Sequence, residues 1–213
     1  MDVRILLMEY VDQPISTQVL LNLLRDYNRP YDKIMELVNK GDLVQLRKGL
    51  YITTSLISTH RPEPFLIANH LLGPSYISLD SALFYWGFIP ERVFEITSVT
   101  NKPSKSFILE KSTKYSFTHL PFAYYPLGIK SLQLTAKQTV LIASPEKCIC
   151  DKVITTAGVN LRSKKQAITF LVEDLRIEKD QLRKLNLREM VNWLPICPKR
   201  PSFKNLIESI AEL

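Results

Sequence analysis

The stretch that decides the fold is "NKGDLVQLRKGLYI", residues 39–52. Two apolar segments, Leu43-Val44 with Leu46 and then Leu50-Tyr51-Ile52, are interrupted by Arg47-Lys48-Gly49. That pattern predicts a hairpin, with Gly49 supplying the positive φ that a tight turn needs. Two cations at its tip suit either a solvated turn or a contact with phosphate, and the preceding residues distinguish these. Pro30 suits the first position of a helix, where its missing N–H costs nothing. Tyr31, Ile34, Leu37 and Val38 follow at helical spacing on one face, and Gly41 suits the left-handed residue that stops the helix. Ser16 or Thr17 can cap an earlier helix, Gln18 to about Arg25, that buries Val19, Leu20, Leu23 and Leu24. Asp26-Tyr27-Asn28-Arg29 turns between these two helices, and Val3 to Tyr10 reads as a first helix. Helix, helix, tight turn, helix and basic-tipped hairpin is the order of a winged helix-turn-helix.

In such motifs the second helix of the pair enters the major groove. The hairpin then lies along the flanking backbone, where Arg47 and Lys48 meet phosphates. Arg29 and Lys33, near the start of the third helix, are the expected operator contacts. Ser16, Thr17, Asn28 and Tyr31 are further candidates, with capping as the alternative role of Thr17 and packing as that of Tyr31. Asp32 and Glu36 share the presumed reading face and repel phosphate. They favour a second reading, a winged-helix protein-interaction module that binds no DNA.

Composition narrows the partners. Of 213 residues, 46% are hydrophobic, enough for a packed core, and the net charge of +7 favours a polyanion. The charge is unevenly placed. Residues 1–58 carry seven Lys/Arg against seven Asp/Glu, residues 59–150 nine against six, and residues 151–213 twelve against eight. Either a DNA footprint reaches beyond the motif or the surplus serves another partner. The run Ile5-Leu6-Leu7-Met8 is too short for a signal-peptide core, and no segment has the apolar length of a membrane span. Three cysteines (Cys148, Cys150, Cys197) imply no disulfide framework. A cytoplasmic protein with no membrane association is expected.

"SLISTHRPEPF" (55–65) reads as a linker. It divides the chain into a winged-helix DNA-binding domain, residues 1–58, and an α+β domain, residues 59–213. In the second, "YISLDSALFYWGFIPERVFEITSVT" (76–100) predicts a helix capped by Ser78 and ended by Gly87, then a strand over 93–100. Further strands are expected at 106–110, 114–119, 132–135 and 139–143. "VLIASPEKCICDKVITTAG" (140–158) reads as strand, cap at Ser144, helix from Pro145 and stop at Gly158. The remainder is mostly helical, over 163–173, 178–185, 187–193 and 203–212. Strands clustered before helices make the fold class α+β, with a small sheet and a mostly helical C-terminal part.

Taken together, "YISLDSALFYWGFIPERVFEITSVT" and "LIASPEKCICDKV", behind a winged helix ending in "RKGLYI", resemble the AbiEi antitoxin family over about residues 13–160. The resemblance implies a bacterial antitoxin of an AbiE-type (type IV) toxin–antitoxin and abortive infection system. Such a protein represses its own operon by binding inverted repeats in promoter DNA, and it counteracts a nucleotidyltransferase-fold toxin. Cys148 and Cys150 depart from the small or aliphatic residues usual in the family.

Enzymatic readings find little support. The six glycines are too scattered for a phosphate-cradling loop, and the Gly-Ser nucleotidyltransferase signature of the toxin is missing. Cys148-x-Cys150 lacks the second pair a zinc site needs, so core cysteines are expected. His60, His70 and His119 form no metal-binding or catalytic motif, and Glu146-Lys147 and Asp151-Lys152 lack the spacing of a nuclease element. The expectation is a protein with no catalytic or metal residues, no cofactor and no small-molecule substrate. The C-terminal "SFKNLIESIAEL" predicts a helix capped by Ser202, with Phe203, Leu206, Ile207 and Ile210 docked on the chain's own core. Lys199, Arg200 and Lys204 would then remain in solvent.

Overall fold

Three residues punctuate the N-terminal unit of the computed structural model, which describes residues 2–91, 93–109 and 113–213. Ser16 accepts a hydrogen bond from the Val19 N–H at 3.3 Å and thereby caps α2 (Thr17–Leu23), which follows α1 (Val3–Leu7). Pro30 opens α3 (Pro30–Asn39), and Gly41, at φ +78°, turns the chain out of it. Strands β2 (Leu43–Arg47) and β3 (Leu50–Thr53) form the antiparallel hairpin. A two-residue strand, β1 (Ile15–Ser16), joins β3 on its other side, giving the sheet order β1-β3-β2. This is a winged helix-turn-helix, closed over a core that includes Leu7, Ile15, Leu20, Ile34, Leu37 and Tyr51.

Two expectations for this unit are corrected. Tyr31 does not join the buried face of α3: it is 64% exposed. Ile34 and Leu37 are the buried pair, and Tyr31 stands about a quarter turn away from their line. The boundary near residue 58 is also displaced. The first unit runs to Gly73 and includes residues 132–140, while the second comprises 74–131 and 141–213. The second proline of "RPEP" opens a helix, α4 (Pro64–Leu71), rather than extending a linker. The Gln138 side chain, 3% exposed, accepts the Glu63 N–H at 2.7 Å and donates to the Arg61 carbonyl at 3.2 Å. The polar segment is thus fastened from far along the chain, which local composition does not reveal.

Strands β4 (Ser75–Ile77), β5 (Ile96–Thr100), β6 (Lys105–Leu109), β7 (Thr113–His119), β8 (Ile129–Thr135) and β9 (Gln138–Ala143) form a mixed sheet of order β6-β7-β5-β4-β9-β8. α5 (Leu79–Tyr85) follows β4, and α6 (Pro145–Thr155) follows β9. The chain then becomes helical: α7 (Lys164–Thr169) with a π turn over 170–174, α8 (Lys179–Leu182), α9 (Leu187–Trp193) and α10 (Arg200–Ala211). The fold is α+β. Among the described residues, no helix is long and apolar enough to cross a membrane.

α10 buries Phe203, Leu206, Ile207 and Ile210, as the stripe predicts, but its start differs. The helix begins at Arg200, so Ser202 lies inside it, where its buried hydroxyl accepts the Leu161 N–H at 3.0 Å. Lys199 does not remain in solvent. Its Nζ donates to the carbonyls of Val153, Thr156 and Val159 at 2.8–3.0 Å. These carbonyls lie in and just beyond the last turn of α6, where a helix leaves acceptors unpaired and its dipole favours a cation. Phe203 is fully buried, edge-on to Tyr124. Phe203→Ala should cost about 3–5 kcal/mol, read as a lowered denaturant midpoint with m unchanged.

Candidate functional site

The exposed side of α3 follows from its buried side. With Ile34 and Leu37 in the core, Asp32, Met35 and Asn39 face outward. Arg29, just before the helix, lies 3.8 Å from Asp32, and the two side chains are 84% and 72% exposed. Lys33 donates to both Glu36 oxygens at 3.0 Å, and its ammonium sits 5.4 Å from the centre of the Tyr27 ring. Lys40 donates to the same carboxylate. Hydrogen bonds from Lys40 and Lys33 hold the Glu36 carboxyl below its ordinary range, and the bond to Glu36 raises the Lys33 ammonium. Such exposed pairs add little stability. They do settle the charge: the middle of α3 is neutralised within the helix. Tyr27, Asn28, Arg29, Asp32, Lys33 and Glu36 line one open groove along it.

The wing is built differently from its sequence reading. Arg47 Nε donates to the Leu71 carbonyl at 2.7 Å, and its two terminal nitrogens donate to His70 and Lys48 carbonyls at 3.3 and 3.0 Å. Leu71 and His70 end α4, so this guanidinium satisfies acceptors that the helix end leaves over. Arg47 therefore acts as a brace, not the fully available phosphate contact expected. Lys48, beside it, is exposed. The Thr17 N–H donates to the Gly49 carbonyl at 3.1 Å and Ser16 pairs with Leu50, which fixes the wing turn to the start of α2. Of the eight predicted residues, Asn28, Arg29, Tyr31, Arg47 and Lys48 are exposed. Ser16, Lys33 and Arg47 are committed to partners in their own unit, and Thr17 is half-buried.

A second cluster lies in the core of the other unit. Lys147 and Asp151, one turn apart on α6, form an ion pair at 3.1 Å with both side chains 0% exposed. Tyr76 and Ser78 donate their hydroxyls to Asp151 Oδ2 at 2.9 and 2.7 Å. Lys147 Nζ donates to the Tyr124 carbonyl at 3.1 Å and lies 3.3 Å from the centre of the Tyr124 ring. Burial pulls the Lys147 ammonium down and pushes the Asp151 carboxyl up, and each opposes the shift of the other. Burial, then the Asp151 charge, pushes the Tyr76 phenol well up. Ser78 stands at the N-cap of α5 as expected, but its hydroxyl serves Asp151 rather than the helix.

Sequence reading missed this cluster. Its signal was the i,i+4 spacing of Lys147 and Asp151, where only the adjacent pairs Glu146-Lys147 and Asp151-Lys152 were weighed. Cys148 and Cys150 are fully buried beside it, with burial raising both thiols well above their ordinary range, as suits core cysteines. Among the described residues, no group of three or more His, Cys, Asp or Glu is placed to hold a metal ion.

No family model and no curated protein matches this chain. Among solved structures it resembles the crystal structure of the RV2827C protein from Mycobacterium tuberculosis, with a TM-score of 0.59 and 18% sequence identity. The match covers 97% of this chain and 75% of that one. At that identity the likeness is one of fold.

The two wing cations should separate experimentally. Arg47→Ala should lower stability by about 1 kcal/mol through the lost carbonyl bonds. Lys48→Ala should leave the melting temperature unchanged and, in duplex binding, flatten the salt slope by about one unit. The reverse pattern would return Arg47 to the phosphate backbone.

Proposed function

We propose that this protein is a cytoplasmic, non-catalytic DNA-binding autorepressor and antitoxin of an AbiE-type system. In this reading the winged helix binds inverted repeats in its own promoter, and the second unit counteracts a nucleotidyltransferase toxin. The observation that carries the DNA-binding half is that the outward face of α3, Arg29 at its start and Lys48 on the following hairpin are all exposed. In winged-helix proteins that bind DNA, such a helix enters a major groove while the hairpin follows the phosphates, which supports this reading.

The antitoxin half rests on the resemblance of two stretches, and the structure gives those stretches a physical role. Tyr76 and Ser78 come from one, Lys147 and Asp151 from the other, and they meet in the buried cluster. Trp86 of the first stretch also donates to the Ala143 carbonyl of the second at 2.8 Å, and Lys152 pairs with Asp80 at 2.6 Å. The residues that carry the resemblance thus hold the unit together, and a shared fold is what such residues would mark. A non-catalytic role is supported by the same burial, because the Lys147–Asp151 pair and both α6 thiols are closed to a substrate. A protein-interaction role for the winged helix remains the second reading, favoured by the Asp32 and Glu36 carboxylates on α3.

The test uses the full chain, since a cut near residue 58 would split the first unit. The protein should shift a duplex of its own upstream region in a gel and release it steeply as salt rises. It should also restore growth to cells expressing a nucleotidyltransferase toxin encoded beside it, if its operon carries one. Arg29→Ala with Lys48→Ala should abolish the shift and leave rescue intact. Rescue without any shift by the parent protein would favour the interaction module, and a shift without rescue would remove the antitoxin role.

A further inference from the structure

The carboxylates on α3 repel phosphate. Their placement separates them. Glu36 is held between Lys33 and Lys40, so its charge is compensated within the helix. Asp32 lies in the first turn at the centre of the outward face, opposite Ile34 and Leu37, with Arg29 3.8 Å away. A residue at the centre of a groove-entering helix meets base edges, while residues at its margins meet the backbone. The donor fork of Arg29 beside the acceptor of Asp32 has a matching pattern in the major groove. A G·C pair presents two acceptors on guanine, N7 and O6, next to one donor, the N4 amino group of cytosine.

We infer that Arg29 and Asp32 act as one reader of a G·C pair in each operator half-site, with Arg29 donating to guanine and Asp32 accepting from cytosine. The inference rests on the DNA-binding reading above and deepens it. Asp32 has a second effect in this role. Where no base amino group meets it, its negative charge faces phosphates and acceptor edges, so it weakens binding to most other sequences. The residue that lowers general affinity is the one that confers discrimination.

Selection from a duplex pool randomised over the binding site tests this, using the full chain, Asp32→Asn and Arg29→Ala. The parent should enrich a G·C pair at one fixed position by about ten-fold over the other pairs. Asp32→Asn should erase that preference, with adenine gaining because an amide pairs with adenine N6 and N7. It should also bind the unselected pool more tightly than the parent does. Arg29→Ala should lose the same position and bind every duplex more weakly. Both side chains are exposed, so unchanged melting temperatures confirm that the variants are folded. If the parent enriches a sequence and Asp32→Asn keeps the same preference, or the parent binds duplex with no fixed G·C pair, the inference fails while DNA binding stands. If the parent binds neither the pool nor its own upstream duplex at low salt, the DNA-binding reading fails and takes this inference with it.

Discussion

The second unit depends on the pair formed by Lys147 and Asp151. Two charges with no solvent exposure are costly to remove from water, and only good geometry with further hydrogen bonds offsets that cost. Here Tyr76 and Ser78 donate to Asp151 Oδ2 and the Tyr124 carbonyl accepts from Lys147, while Asp151 Oδ1 faces the ammonium and has no hydrogen-bond partner. The ammonium also rests on the face of the Tyr124 ring, whose hydroxyl is buried without a hydrogen-bond partner. That orphan group makes sense if the ring is held for its face, since a desolvated cation over an aromatic ring gains more than one in water. The cluster ties α6 to β4 and to the loop before β8. Gly128 in that loop, at φ +62°, has no room for a side chain, because a Cβ would come within 2.9 Å of Lys147 and 2.7 Å of Trp193.

The winged helix uses its charges in another way. Its Lys, Arg, Asp and Glu balance, and they pair within it: Lys33 and Lys40 on Glu36 and Arg29 on Asp32 locally, and Arg4 on the buried Asp42 across the unit. Arg47, though exposed, is bonded to a helix end. Such a surface has little general attraction for a polyanion, so any affinity for DNA would lean on a few exposed residues and on base contacts.

The elements with strong local signals were legible in the sequence. Pro30, Gly41 and the Ile34–Leu37 spacing placed α3, and Ser144 with Pro145 placed α6, because caps and periodicity act over a few residues. Failures came where distant residues decide. β1 is two residues long and exists only because β3 pairs with it. The segment after residue 58 looks like a linker until Gln138 reaches its backbone. Ser78, Ser202 and Lys199 carry side chains suited to caps or solvent, yet each is drawn to a partner far along the chain. The candidate site divided in the same manner. The exposure of Arg29 and Lys48 follows from their positions in the motif, whereas the bracing role of Arg47 required α4, an element with too little polar punctuation to be read.

A double-mutant cycle on Lys147 and Asp151 tests the central claim, that a buried ion pair within α6, bonded to Tyr76 and Ser78 of the other stretch, holds the unit. Denaturant unfolding would be measured for the parent, Lys147→Met, Asp151→Leu and the double variant. Each single change strands a buried charge and should cost about 3–5 kcal/mol. The double change should be milder than the sum of the two by roughly 2 kcal/mol or more, because neither charge is then left unpaired. Single changes that cost less than about 1 kcal/mol, or costs that simply add, would contradict the account.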